Sequence, residues 1–327
     1  MQEQRIVAFG THDREAPRHW NIVRMLRAEG REVTECHADG MTVLRNLGQL
    51  WSRARVLIRS ADTVLVTFPG HYYLPLAWAL TRFPRKRLIF DAFISLHDTI
   101  VGDRKKVSNW HPYAWFLYLL DWLDCRLADE VWIDTEAHRR FFIEKFHVRP
   151  NKIKTVYLGA RSDLFYPAET KNQKPITNNS PTVLFYGTFI PLQGIEYIID
   201  AARILAKDRP DIRFSLVGGG QTHKATFAWA TGLANITFVP PVPFAEIPAL
   251  IHSADLTLGI FGTSGKAARV IPHKVYDAVA CGARVITADT PAIREKFSEK
   301  DGVYLVPAGN PEALAAKIRM LMPPVSI

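Results

Sequence analysis

The sequence predicts an α/β protein built of two doubly wound, Rossmann-like domains facing a central cleft. Three observations carry that expectation. Short apolar runs alternate with amphipathic segments along most of the chain. The alternation lapses once, over a polar stretch rich in Pro and Asn at 166–181, and then it resumes with the same spacing. Such alternation is the grammar of parallel strands with helices on both faces. The 327 residues suffice for two such domains.

In the first half, RIVAFG (5–10), TVLVTF (63–68), RLIFDAF (87–93), EVWIDT (130–135) and IKTVYLG (153–159) read as buried strands. Each is rich in β-branched or aromatic residues and is of strand length. The stretches 18–29, 44–58, 72–82, 110–127 and 136–146 read as helices between or after them. After the linker, TVLFYGTF (182–189), RFSLVGGG (213–220), ITFVP (236–240), LTLGIF (256–261), RVITAD (284–289) and VYLVP (303–307) read as strands. Helices are expected over 195–206, 245–254, 272–281 and 311–321. The expected organisation is therefore a domain over 1–165, a linker over 166–181 and a domain over 182–327. Ligands in such sheets sit at the carboxyl ends of the strands.

Composition narrows the function classes. The net charge is +9, and residues 1–165 carry 25 Lys and Arg against 19 Asp and Glu. A basic first half suits an anionic partner: a phosphorylated substrate, an acidic membrane surface or a nucleic acid. The aromatic interleaving of a strand-binding groove is absent, so no nucleic acid is expected. Three cysteines, Cys36, Cys125 and Cys281, lie far apart. That spacing predicts neither zinc nor a disulfide framework and fits a reduced, cytoplasmic compartment. The chain runs from MQEQ straight into a strand, so no signal peptide is expected. The apolar run WHPYAWFLYLL (110–120) meets Asp121 and Asp124 at once and is too short to span a bilayer.

Several strands end in glycine: Gly10, Gly187, and the triplet Gly218, Gly219, Gly220. A glycine between strand and helix lets a ligand approach the backbone and aims helix N–H groups at an anion. Neither GxGxxG after the first strand nor GxxxxGK[ST] occurs, which argues against a dinucleotide site, a dehydrogenase and a P-loop. The helix expected over 272–281 begins with His273 and Lys274, although a cation is disfavoured at a helix N-terminus. An anion lying between them makes the placement sensible, and a diphosphate would take both the ammonium and the amides. Lys266 and Arg269 precede it in GTSGKAARVI (262–271). Asp277 falls on the same helix face as Lys274 and can accept two hydroxyl groups of a ribose diol. A solvated i,i+3 salt bridge is the plain alternative.

Four segments in this order and spacing resemble the GT-B glycosyltransferases, in particular the family 4 retaining enzymes (glycosyltransferase group 1). YLGARSDLFYP (157–167) resembles the inter-domain segment NGVDxxxFxP. The run 184–205 resembles xxxGRLxxxKGxxxLIxAxxxL, FSLVGGG resembles LxxxGxG, and 271–289 resembles xEAMAxGxPVIAxx. The resemblance implies a C-terminal domain that holds a nucleotide-diphosphate sugar, with Gly10, Gly187, Thr188, Gly219, Lys266, Arg269, Lys274 and Asp277 as donor-side residues. Asp277 matches the second acid of the E-x7-E motif, which holds the ribose. Arg269 stands where the first acid belongs, so the usual contact to the sugar hydroxyls is missing or relocated. Thr188 and Gln193 stand where the family often has its phosphate-binding Arg and Lys, which leaves Lys266, Arg269 and Lys274 to supply the cations. The implied mechanism is metal-independent and needs no cofactor beyond the donor. No D-x-D occurs in the chain. Retention without a clear nucleophile implies front-face attack, with the leaving phosphate helping to deprotonate the acceptor.

The acceptor half is read from FDAFISLHDTIVGDRKKVSNW (90–110), a loop after a strand that gathers Asp91, His97, Asp98, Asp103 and Arg104. His97 and Asp98 are the candidates for contact at the reacting centre, against the alternative of a capped structural loop. With them, Lys274 completes the catalytic set. His12 and Arg14 would face the same cleft, whereas His19, His71 and His111 read as ordinary polar or partly buried histidines. The stretch 44–60 carries Arg45, Arg53, Arg55 and Arg59 beside Leu47, Leu50, Trp51, Val56 and Leu57, and RFPRKR (82–87) adds four cations. A basic helix with a Trp can lie on an anionic bilayer. That predicts peripheral contact with the inner face of the membrane and suits a lipid-linked acceptor beside the glycan and small-molecule alternatives. Two other readings stay open: a sugar-nucleotide epimerase of the same fold and a catalytically silent scaffold subunit.

Overall fold

A computed structural model describes residues 4–167 and 180–322. The chain divides into two compact units, Met1–Gly159 and Ala160–Ile327. The division falls six residues before the expected end of the first domain. Phe165 explains the difference, because it is buried with Leu184, Tyr186, Ile247 and Ile251 of the second unit. Most of the expected linker, 168–179, lies outside the described residues.

The first unit is a six-stranded parallel sheet in the order β2-β1-β3-β4-β5-β6. Its strands are β1 (Arg5–Gly10), β2 (Glu32–His37), β3 (Thr63–Val66), β4 (Arg87–Phe93), β5 (Glu130–Ile133) and β6 (Ile153–Thr155). Its helices are α1 (Pro17–Ala28), α2 (Val43–Ser60), α3 (Leu74–Leu80), α4 (Pro112–Leu127) and α5 (Glu136–Phe146). Strand side chains alternate between two cores. Val7, Phe9, Val64, Val66, Leu88, Phe90, Val131 and Ile133 meet α2 to α5 through Leu50, Ala54, Leu74, Ala77, Cys125 and Phe142. Ile6, Leu65, Ile89 and Trp132 meet α1 through Ile22 and Leu26. β2 was not expected from the sequence. EVTECH carries two acids and buries only Cys36 fully, because it is the edge strand. The segment 153–159 forms a strand only as far as Thr155, and the helix expected over 72–82 is a 3₁₀ turn at 71–73 followed by α3.

The second sheet runs β12-β11-β10-β7-β8-β9. Its strands are β7 (Thr182–Thr188), β8 (Arg213–Gly219), β9 (Ile236–Val239), β10 (Leu256–Leu258), β11 (Val285–Ala288) and β12 (Val303–Val306). The helices are α6 (Ile195–Leu205), α7 (His223–Trp229), α8 (Ile247–Ser253), α9 (Gly265–Arg269), α10 (His273–Ala280) and α11 (Pro311–Leu321). α6 and α11 cover one face through Ile198, Ala202, Leu314 and Ile318. α8 packs on the other against Leu184, Tyr186 and Val217. β9, expected to be buried, is a half-exposed edge. The strand order reverses between β7 and β10, and in open α/β sheets that switch point is where ligands bind.

Candidate functional site in the C-terminal unit

The N-terminus of α10 lies beside that switch point. Pro272 precedes the helix and gives its first turn no side-chain cap, and no acid stands in that turn. Lys274 is not on a solvated face. It is 6% exposed, and its ammonium donates to Gln193 Oε1 at 2.7 Å. The ammonium lies 3.7 Å from the centroid of the Phe185 ring. It also reaches β7, because a Cβ added to Gly187 would sit 3.2 Å from Nζ. Gly187 thus keeps the end of β7 open to the ammonium. Burial holds the Lys274 pKa well below its ordinary value, and the nearby Asp277 opposes that shift.

Asp277, one turn on, is 1% exposed. Its Oδ2 accepts from the Tyr186 hydroxyl at 3.3 Å, and its Oδ1 is buried with no hydrogen-bond partner. Burial pushes its pKa up to about 7, against the Tyr186 hydrogen bond and the Lys274 charge. The salt-bridge alternative is therefore overturned: both groups are buried, and the ammonium bonds a neutral amide. A cation with a neutral partner and an acceptor with an unused lone pair are costly to bury. Both would be relieved by a ligand carrying a negative charge and hydroxyl groups.

The glycines divide into two kinds. A Cβ on Gly218 would lie 2.0 Å from the Gly187 carbonyl oxygen, and one on Gly220 would lie 2.8 Å from the Phe189 carbonyl oxygen. These two are demanded by backbone packing, which corrects the expectation that the whole triplet serves a ligand. Gly219 is different, since its Cβ would meet nothing closer than Pro241 at 3.7 Å. Thr188 is exposed at the end of β7. Lys266 and Arg269 lie on α9, which Ser264 caps, in the segment between β10 and α10. Lys266 is buried, and the Arg269 guanidinium folds back over Gly265.

The remaining candidates belong to the first unit. His97 lines a pocket with Asn109, Trp115, Tyr118, Glu144 and Lys145. Burial, then Lys145, lower the His97 pKa, while Asp98 opposes them. The loop bearing His97 and Asp98 hangs on Asp121 of α4, which the sequence reading did not single out as a site residue. Asp121 accepts from Ser95 Oγ at 2.6 Å and from the backbone N–H groups of Leu96 and His97 at 3.1 and 3.0 Å. The signal was a pair of acids, Asp121 and Asp124, in a largely apolar helix. Asp91 is a structural ion pair, with Arg18 Nη2 2.6 Å from its Oδ1. Gly10 has φ 148°, and its Cβ would crowd Thr67 at 3.3 Å, so a backbone requirement accounts for it. His12 does not face open space. It is buried, with Nδ1 2.7 Å from Thr67 Oγ1 and its ring stacked on His19. Arg14 pairs with Glu35.

Two six-stranded parallel sheets flanked by helices give the chain the GT-B fold. Sucrose-phosphate synthase of Thermosynechococcus elongatus superposes with a TM-score of 0.73 at 15% identity, covering 98% of this chain and 90% of that one. Anabaena HepE, in complex with UDP and glucose, superposes with a TM-score of 0.68 at 17% identity over 98% and 89%. Residues 180–323 match the family model "Glycosyl transferases group 1". Among curated proteins, D-inositol 3-phosphate glycosyltransferase of Thermobispora bispora is 24% identical over 211 residues, 60% of this chain and 48% of that protein. The chain spans about half the length of the curated relatives it matches.

Proposed function

We propose that the protein transfers a sugar from a nucleotide-diphosphate sugar to a lipid-linked or glycan acceptor, with retention and without a metal ion at the diphosphate. The observation that carries this reading is Lys274: a desolvated ammonium at an uncapped helix N-terminus that donates to the Gln193 side-chain carbonyl. A diphosphate there would restore the charged lysine and accept from the first-turn amides of α10. Lys266 and Arg269 add charge from α9, and Thr188 and Gly219 border the approach. Asp277 Oδ1 would accept from the ribose. Anabaena HepE, in complex with UDP and glucose, supports a donor of this kind.

On the acceptor side, His97 and Asp98 are the proposed contacts. Burial keeps His97 neutral at pH 7, the state in which an imidazole accepts a proton from an acceptor hydroxyl. Peripheral membrane contact is part of the reading. α3 packs against both α2 and α4. These helices and the turns beside them leave Leu44 (82% exposed), Trp51, Val56, Phe83 (95%), Trp110 (86%), Trp115 and Leu119 in solvent. Arg45, Arg53, Arg55 and Arg59 lie on α2 among them. Aromatic anchors with adjoining cations suit an anionic bilayer surface. No helix among the described residues is long and apolar enough to cross a membrane.

A second reading, a donor-binding scaffold without turnover, is favoured by Arg269 at the position of the family's first acid. The experiment is a thermal-shift panel of UDP, GDP, ADP, TDP and CDP in EDTA, each against its own EDTA baseline. One nucleotide raising the melting temperature supports a metal-free donor site. No shift with any of them overturns it. Product formation with that nucleotide's sugars then separates the enzyme from the scaffold.

A further inference from the structure

We propose that His12, His19 and Glu35 form a binding site for one divalent transition-metal ion of the zinc type, in the first unit and separate from the donor chemistry. The three residues come from three neighbouring pieces of chain. His12 follows the end of β1, His19 lies in the first turn of α1, and Glu35 lies in β2, which pairs with β1 through Ala8. One ligand atom from each lies within 4.8 Å of the others. His19 Nε2 is 3.3 Å from Glu35 Oε1, and His12 Nε2 is 3.9 Å from Glu35 Oε2. Ligands at about 2.0–2.1 Å from a tetrahedral ion stand about 3.3 Å apart. The His19–Glu35 separation already matches that spacing, and the stacked His12 and His19 rings turn out of their stack for both lone pairs to meet one ion.

The hydrogen bonds around His12 fix which nitrogen is free. The Thr67 hydroxyl donates to the Phe9 carbonyl at 3.3 Å. His12 Nδ1–H is then the donor into Thr67 Oγ1 at 2.7 Å, and Nε2 keeps its lone pair. That Nε2 is buried and has no hydrogen-bond partner. A ring held through one nitrogen with the other bare is the arrangement that orients a metal-ligating histidine. The His12 and His19 rings stack with centroids 3.9 Å apart, and His37 stands edge-on to His12 at 5.1 Å. Its buried Nδ1 also lacks a hydrogen-bond partner. The Arg14 guanidinium, which pairs with Glu35, is mostly exposed and is the group an ion would displace. Two imidazoles and a carboxylate suit zinc, cobalt or nickel rather than calcium or magnesium.

The test uses the full chain, stripped with chelator and titrated with Co²⁺. The expected result is a visible absorption typical of tetrahedral cobalt, saturating at one ion per chain and displaced by Zn²⁺, with a higher melting temperature in Zn²⁺. Glu35→Gln and His19→Gln should each weaken the ion by about tenfold or more. Should His19→Gln fail to fold, Glu35→Gln, at a partly exposed position, decides the matter. Absence of the cobalt spectrum and of a zinc-dependent shift would overturn the proposal. So would unchanged affinity in folded Glu35→Gln. The nucleotide shift in EDTA reads the other unit, so either idea can fail alone.

Discussion

The Lys274 ammonium donates to the side-chain carbonyl of Gln193 at 2.7 Å across 81 residues of sequence. This bond joins the first turn of α10 to the turn after β7, the two strips of chain that border the switch point of the second sheet. It also bears on one departure from the pattern the sequence resembles. Gln193 stands where a cation is usual, and the cation that reaches it comes from position 274.

Replacing this ammonium separates binding from stability. Lys274→Met should lower affinity for the donor nucleotide by roughly 10- to 100-fold, the worth of a charge-assisted hydrogen bond of about 1.5–3 kcal/mol. The melting temperature should hold or rise, because a buried ammonium is exchanged for an apolar chain. Calorimetric titration beside a thermal melt checks both. Full affinity in the variant would remove Lys274 from the phosphate site.

Asp277 predicts a pH effect. Its folded pKa of about 7 lies above the ordinary 3.8, so the folded chain holds a proton that the unfolded chain releases. The stabilisation is complete below about pH 4 and is lost as pH rises towards 7. Asp277→Asn should flatten part of that slope in urea titrations at pH 4, 5.5 and 7. It should also weaken nucleotide binding. A slope identical to wild type would show that Asp277 titrates normally.

Asp121 is a positioning residue for the His97 loop. Asp121→Asn keeps the shape but exchanges an acceptor for an amide facing two N–H groups and a hydroxyl. Turnover should fall by about tenfold or more, with acceptor kinetics changed and nucleotide affinity unchanged. The double variant with His97→Ala should lose little more than His97→Ala alone. Additive losses would separate Asp121 from His97.

The glycine triplet offers a paired comparison. Gly218→Ala should destabilise the second unit by several kcal/mol, since its Cβ would overlap the Gly187 carbonyl oxygen and its φ is 138°. Gly219→Ala should leave the melting temperature nearly unchanged and lower nucleotide affinity. Equal melting of the two variants would contradict the packing account.

Membrane contact is checked by vesicle flotation. Trp115→Ser with Leu119→Ser should reduce recovery with anionic vesicles, and Arg53→Glu with Arg55→Glu should reduce it in a salt-dependent way. Neither pair should alter the melting temperature by more than a degree or two.

Periodicity made the strand–helix alternation legible because central strands are apolar on both sides. Leu184 and Phe185 in β7, buried on opposite faces, are of this kind. Edge strands lack that signature, which is why EVTECH of β2 passed unread and ITFVP was taken as buried. In the site, Lys274 and Asp277 were recognisable from their place in the helix, but their burial was not. Spacing three residues apart is compatible with a surface pair or with two desolvated groups, and only the packing of Phe185 and Tyr186 decides. The histidine cluster was illegible for a different reason. His12, His19 and Glu35 have no metal-binding spacing in sequence and meet only because β2 pairs with β1 beside α1. By sequence alone His12 therefore reads as a cleft residue and His19 as an ordinary polar histidine.

The strand order of the second sheet has a consequence for synthesis. β7 is the first strand of its unit to be made and lies in the middle of the sheet, yet its β10 neighbour pairs Leu256 with Val183. One edge of β7 therefore stays without its ladder until more than 70 further residues have left the ribosome, and the following strands extend the sheet from there. The first unit is complete by Gly159, before any of this begins. While the second unit is emerging, the nascent chain carries a finished N-terminal body and a half-built sheet with an open apolar edge, the stage at which chaperone capture or aggregation is most favoured.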